Sequence, residues 1–151
     1  MKRSVQKNKN RKTHRNAIFK MVCPSIPKEI GHIEEFLQQI RSVQHIDDGM
    51  MHRLLVSCTE AVNNAIVHGN KSNPEKMVCV RCIVSERMLT ISVTDEGNGF
   101  DPNSLQDPRN EENLLKENGR GVFLMRSLMD KVIFKHLKSG SVVEMKMKLN
   151  R

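Results

Sequence analysis

Residues 60–70 read Glu-Ala-Val-Asn-Asn-Ala-Ile-Val-His-Gly-Asn, and no other stretch limits so narrowly what this chain can become. Leu54, Leu55, Cys58, Ala61, Val62, Ala65 and Ile66 recur at helical spacing behind an Asp47-Asp48 start, and Gly69-Asn70 stops the run. Gly69 stands where a left-handed C-terminal cap belongs. Within that helix Glu60 and Asn64 are one turn apart, so their side chains share a face. A carboxylate beside an amide oxygen can handle a proton and a hard cation at once. Two glycine-bearing blocks follow, Asp95-Glu96-Gly97-Asn98-Gly99 and Gly119-Arg120-Gly121.

The remaining elements fall around this helix. Ala17–Val22 reads as a first strand, and Ser25 before Pro27 signals a helix start. That helix carries Ile30, Ile33, Leu37 and Ile40 at helical spacing. Met77–Val84 and Met88–Thr94 form a strand pair. In the second strand, Leu89, Ile91 and Val93 alternate with polar residues, the pattern of a half-buried strand. Residues 100–118 are polar and Pro-broken. A third helix is predicted from Gly119–Gly121 through Met129, then strands Val132–Leu137 and Val142–Leu149. The order β-α-α-β-β-loop-α-β-β predicts an α+β fold, a two-layer sandwich with helices on one face of a mostly antiparallel sheet.

A chain of 151 residues suits one domain with a respectable core. No apolar run is long enough to span a membrane, and the basic start is unlike a secretory signal, so the expected location is the cytoplasm. The net charge of +8 is uneven: residues 1–20 hold eight Lys or Arg and no acid, leaving 17 basic against 17 acidic residues. The chain therefore divides into a basic tail, 1–15, expected to be disordered, and a domain, 16–151, that is formally neutral beyond Lys20. Direct nucleic-acid binding needs a basic face or stacking aromatics. The chain has no Trp, no Tyr and five Phe, so no nucleic-acid contact is expected. Cys79 and Cys82 form a Cys-x-x-Cys, but on a strand they point to opposite faces. With Cys23 and Cys58 they are expected to be reduced thiols.

The three blocks resemble, in this order, the nucleotide-binding boxes of the GHKL (Bergerat) ATPase and kinase superfamily. Their wording is most similar to the anti-sigma-factor serine/threonine kinases of bacterial partner-switching systems. The matching text is Glu60–Gly69, Val93–Phe100 and Gly119–Met125, continuing through Leu128–Val132. The resemblance spans roughly residues 16–149 and implies a GHKL fold, ATP and Mg2+ as cofactors, and a lid at 100–118 that closes over nucleotide. It also implies a sigma factor and a STAS-type anti-sigma-factor antagonist as partners. A homodimer through the sheet and first-helix region is a further implication.

The resemblance places the family's general base at Glu60, a role open to a carboxylate near a triphosphate. It assigns the metal to Asn64. One amide oxygen suffices, because magnesium completes its octahedron with phosphate oxygens and water. Ala61 and Ala65 are small enough to let a ligand approach, and His68 is expected to cap or pack. Asp95, as an acceptor-only carboxylate, favours adenine's exocyclic amine over the carbonyl of guanine. Gly97 and Gly99 let the backbone approach a flat base. Gly119, Arg120 and Gly121 open a helix whose N–H groups can face an anion, with Arg120 or Arg109 adding charge. Ser141 stands where relatives commonly place Thr and keeps a hydroxyl near the adenine site. No glycine block completes a Rossmann or Walker pattern.

Three functions follow in order of fit. The first is an anti-sigma factor that is also a serine/threonine kinase, binding ATP-Mg and phosphorylating its antagonist. The second is a nucleotide-binding partner-switch protein without significant kinase activity. The third, a sensor histidine kinase domain, needs a phosphoacceptor helix pair upstream, which the short tail is not expected to supply.

Overall fold

A computed structural model describes residues 16–97 and 117–150. Strand β1 (Ala17–Pro24) leads through a 3-10 turn (Pro27–Gly31) into helix α1 (His32–Val43). Helix α2 (Asp48–Asn64) follows and ends in a π turn (Ala65–Gly69). Strands β2 (Met77–Val84) and β3 (Met88–Asp95) precede helix α3 (Glu117–Leu128), β4 (Lys131–Leu137) and β5 (Gly140–Lys148). The sheet order is β1-β2-β3-β5-β4, and every neighbouring pair is antiparallel. The final hairpin thus inserts β5 beside β3 and leaves β4 at the edge.

Period-2 alternation turns one sheet face inward. Val78, Val80, Cys82, Leu89, Ile91, Val93, Met145 and Met147 are buried with Ile33, Leu37, Ile40, Leu54, Val62, Ile66 and Met125 from the helices. The opposite face carries Ile18 and Val22, both exposed. This is the expected two-layer α+β sandwich, with α2 packed on both α1 and α3. Leu54 is fully buried at the centre of α2, and truncating such a leucine costs about 2–5 kcal/mol. Cys82 is buried and Cys79 half-buried, as the strand spacing predicted, and all four cysteines are free thiols. No described helix is long and apolar enough to cross a membrane.

Local rules explain the ends of α2, while other boundaries shift. Asp47 caps α2, its carboxylate accepting the Met50 N–H at 2.8 Å. Ser25 does not cap the helix predicted after it. Its N–H and hydroxyl both donate to the Lys76 carbonyl, at 3.0 and 2.7 Å. Pro27 therefore opens a 3-10 turn without a side-chain cap, and α-helical bonding begins only at His32. Gly69 is not a left-handed cap either. Positive φ falls instead on Lys71 and Ser72, each at 54°, after the Asn70 N–H has closed the π turn on the Ala65 carbonyl at 2.8 Å. Helix α3 starts at Glu117, so the Gly119–Gly121 block lies inside its first turns. The lid expected at 100–118 lies, apart from residues 117 and 118, outside the described residues, as do the 1–15 tail, Gly99 and Arg109.

Candidate functional site

A cleft opens where α2, α3 and the β3-β5-β4 half of the sheet meet, with about 420 Å3 of empty space including its mouth. Its walls are Ala61, Asn64 and Ala65 on one side and Val93 and Asp95 on the floor. Met125, Phe134, Lys135, His136, Ser141, Val142 and Val143 complete them. The two alanines do what their size suggested: they leave room against the helix.

Asp95 sits at the polar end. It is the cross-strand partner of Ser141 in the β3–β5 ladder. Adjacent antiparallel partners project to the same face, and the Ser141 hydroxyl donates to Asp95 Oδ1 at 3.2 Å. The Gly97 N–H donates to the same oxygen at 2.9 Å. A carboxylate has about four acceptor positions, so these two bonds orient the group and leave capacity on Oδ2. Backbone crowding around it explains three glycines. A Cβ on Gly69 would lie 2.5 Å from Asp95 Cγ, one on Gly97 1.8 Å from the Gly69 carbonyl oxygen, and one on Gly140 1.7 Å from the Asp95 carbonyl oxygen.

Glu60 and Asn64 share one face of α2, as their spacing predicted, and that face meets α3 at Gly121. A Cβ on Gly121 would stand 2.6 Å from Glu60 Oε2 and 3.6 Å from Asn64 Nδ2. Gly121 thus faces the end of the Glu60 side chain, with the Asn64 amide beside it. Asn64 is buried at 6% exposure, and its Nδ2 has no hydrogen-bond partner among the described residues. An unpaired buried amide is costly, so a polar ligand at this point would relieve it. Gly119 is buried in the first turn of α3 and Arg120 beside it is exposed. The predicted residues thus form two groups, Asp95 with Gly97 and Ser141, and Glu60 with Asn64 and Gly121. His68, expected to cap or pack, has a buried Nε2 without a partner among the described residues.

Sequence reasoning missed the apolar walls, Met125, Phe134, Val142 and Val143, because they look like ordinary core positions. It also missed Asn70. That residue is fully buried, and its Oδ1 accepts the Glu96 N–H at 2.8 Å beside Asp95. Chemically, the cleft offers apolar walls, the acceptor carboxylate of Asp95 and the amide of Asn64, with Glu60 close to that amide at Gly121. Those features fit a purine ring and a polyphosphate with its cation. The unpaired Nδ2 donor of Asn64 suits a phosphate oxygen of such a ligand.

The histidine kinase-like ATPase domain family matches residues 23–147, and the fold is that of an ATPase domain of this class. The serine-protein kinase RsbW of Bacillus licheniformis is 33% identical over 139 residues, covering 88% of this chain and 86% of the relative. RsbW of Bacillus subtilis is 31% identical, covering 87% and 86%. The chain belongs to the RsbW family of serine-protein kinases. The anti-sigma F factor of Bacillus cytotoxicus is 37% identical over 76 residues, 49% of this chain and 52% of the relative. Among solved structures, the RsbU and RsbW domains of a Mycobacterium tuberculosis protein superpose with a TM-score of 0.66 at 14% identity. That match covers 89% of this chain and 33% of the other, and it supports the fold.

Proposed function

We propose that this protein is an anti-sigma regulatory kinase that binds ATP-Mg in the cleft, holds a sigma factor inactive and phosphorylates a STAS-type antagonist on serine or threonine. The observation that carries this reading is the buried Asn64 amide, its Nδ2 unpartnered among the described residues, lining one cleft with Asp95 while Glu60 stands with it beside Gly121. Bound ATP-Mg supplies the transferable phosphoryl group and the charge that balances its oxygens. Asp95, oriented by Ser141 and Gly97, accepts a hydrogen bond from the adenine amine. Asn64 would turn its amide oxygen to the cation. Glu60 takes the proton from the antagonist's hydroxyl as that oxygen attacks. Gly119 and Arg120, in the first turn of α3, contribute backbone and charge to the phosphate end, and Gly99 a close approach to the base.

The working protein on this reading is a cytoplasmic homodimer that touches neither nucleic acid nor membrane. The test is a radiolabelled transfer assay on the antagonist encoded in the same host. Phosphoserine or phosphothreonine on the antagonist is the expected product, and sigma-factor capture that ends on antagonist binding is the expected switch. Binding of both partners without transfer would contradict it.

A further inference from the structure

Asn70 lies between the polar end of the cleft and the start of the sheet, and its side chain is fully buried. The register of β2 and β3 pairs Cys79 with Thr94, so two residues further along Met77 faces Glu96. A continued ladder would bond the Glu96 N–H to the Met77 carbonyl and the Met77 N–H to the Glu96 carbonyl. Neither bond forms that way. The Asn70 amide stands in the first: Oδ1 accepts the Glu96 N–H at 2.8 Å and Nδ2 donates to the Met77 carbonyl at 3.1 Å. The Glu96 carboxylate takes the second, accepting the Met77 N–H at 2.5 Å. The remaining Nδ2 hydrogen goes to the Ser25 hydroxyl at 2.7 Å, which itself donates to the Lys76 carbonyl.

The chemistry fixes which way this amide points. A backbone N–H only donates and a carbonyl only accepts, so Oδ1 must face Glu96 and Nδ2 must face Met77. Both donors and the acceptor are used. The residue is delivered by the π turn, whose closing bond is its own N–H to the Ala65 carbonyl. The side chain thus holds the strands apart just where β3 would otherwise run on in the sheet. Glu96 is fixed from both its N–H and its carboxylate, and Asp95 and Gly97 flank it.

We infer that Asn70 is a positioning residue, a wedge that ends the β2–β3 ladder and sets the bearing of Asp95 toward the nucleotide base. The inference rests on the proposed role of Asp95 in base recognition. Asn70 touches no nucleotide on this account; it acts through Glu96. Losing it would let the ladder close by one pair and turn Asp95–Gly97 away from the cleft.

Calorimetric titration of the full chain with Mg-ATP and with Mg-GTP tests this, on wild type, Asn70→Ala and Ser25→Ala. Asn70→Ala should weaken ATP binding about tenfold, the scale of an unsatisfied buried polar group, while leaving GTP binding within about twofold. The ATP-to-GTP selectivity therefore narrows, which a loss of stability alone would not produce. Ser25→Ala removes only the hydroxyl that receives Nδ2, and should narrow selectivity by about two- to threefold. If Asn70→Ala does not fold, Ser25→Ala decides. Folded variants that keep the wild-type selectivity, whatever their melting temperature, overturn the inference alone. Wild-type protein that binds both nucleotides equally removes the Asp95 reading and this inference with it.

Discussion

The carboxyl group of Asp95 closes directly over Gly69, leaving no room for a Cβ, which would stand 2.5 Å from Asp95 Cγ. The contact joins the π turn of α2 to the end of β3 and fixes where the acceptor oxygens lie in the cleft. Gly69 therefore owes its identity to a neighbour distant in the chain rather than to the helix it ends.

Gly69→Ala should displace Asp95 while leaving most of the core intact. The expected result is a loss of ATP affinity of about tenfold or more with only a modest fall in melting temperature. Calorimetry and circular dichroism on one sample separate the two effects. An unchanged affinity would contradict the packing.

Asp95→Asn puts an amide donor where the native carboxylate only accepts. It should narrow the preference for ATP over GTP by about tenfold or more, the discrimination expected from one mismatched buried hydrogen bond. Competition binding with both nucleotides checks this. A wild-type protein indifferent to the base would contradict the role given to Asp95.

Much of this architecture was legible locally. The alternation of Leu89, Ile91 and Val93, the Asp47 cap and the opposite bearings of Cys79 and Cys82 depend on neighbours in sequence. The Glu60–Asn64 pair was legible for the same reason, since one turn of helix fixes their common face. What escaped depends on distant contacts. Asn70 finds its partners 26 and 45 positions away, and Gly69 is constrained by Asp95 rather than by helix termination. That a Cβ on Gly121 would meet the Glu60 carboxylate of α2 was likewise not legible, because it depends on how α3 packs. Ser25 obeyed the sheet edge instead of the helix rule, because Lys76 was there to accept its hydrogen bonds.

Burial pushes the Cys82 thiol up to about 12 and the Cys58 thiol higher still, from an ordinary value of 9.0. The folded state thus keeps protons that the unfolded chain releases above about pH 9. Their stabilising effect is complete below that pH and declines as pH rises, by up to about 1.4 kcal/mol per pH unit for each thiol. Urea unfolding between pH 8 and 10 should show this decline. A Cys58→Ala, Cys82→Ala variant should show a shallower one. The same slope in both proteins would contradict it.

Gly121→Ala would place a methyl 2.6 Å from Glu60 Oε2, so the Glu60 carboxylate must swing aside. Phosphoryl transfer should fall by about tenfold or more, because misplacement of reacting groups by a fraction of an ångström is costly. ATP affinity should fall less. Single-turnover kinetics distinguish the two, and a greater loss in binding than in transfer would contradict the placement of Glu60.

The most direct test of the phosphoryl-transfer account is Glu60→Gln, which keeps the shape of the side chain and removes its capacity to take a proton. With the cognate antagonist and saturating radiolabelled ATP, the variant should bind nucleotide as wild type does. It should lose transfer by about 10²–10⁴-fold, the usual share of a general base. Transfer at the wild-type rate would contradict the assignment of Glu60 and with it the chemistry placed in this cleft.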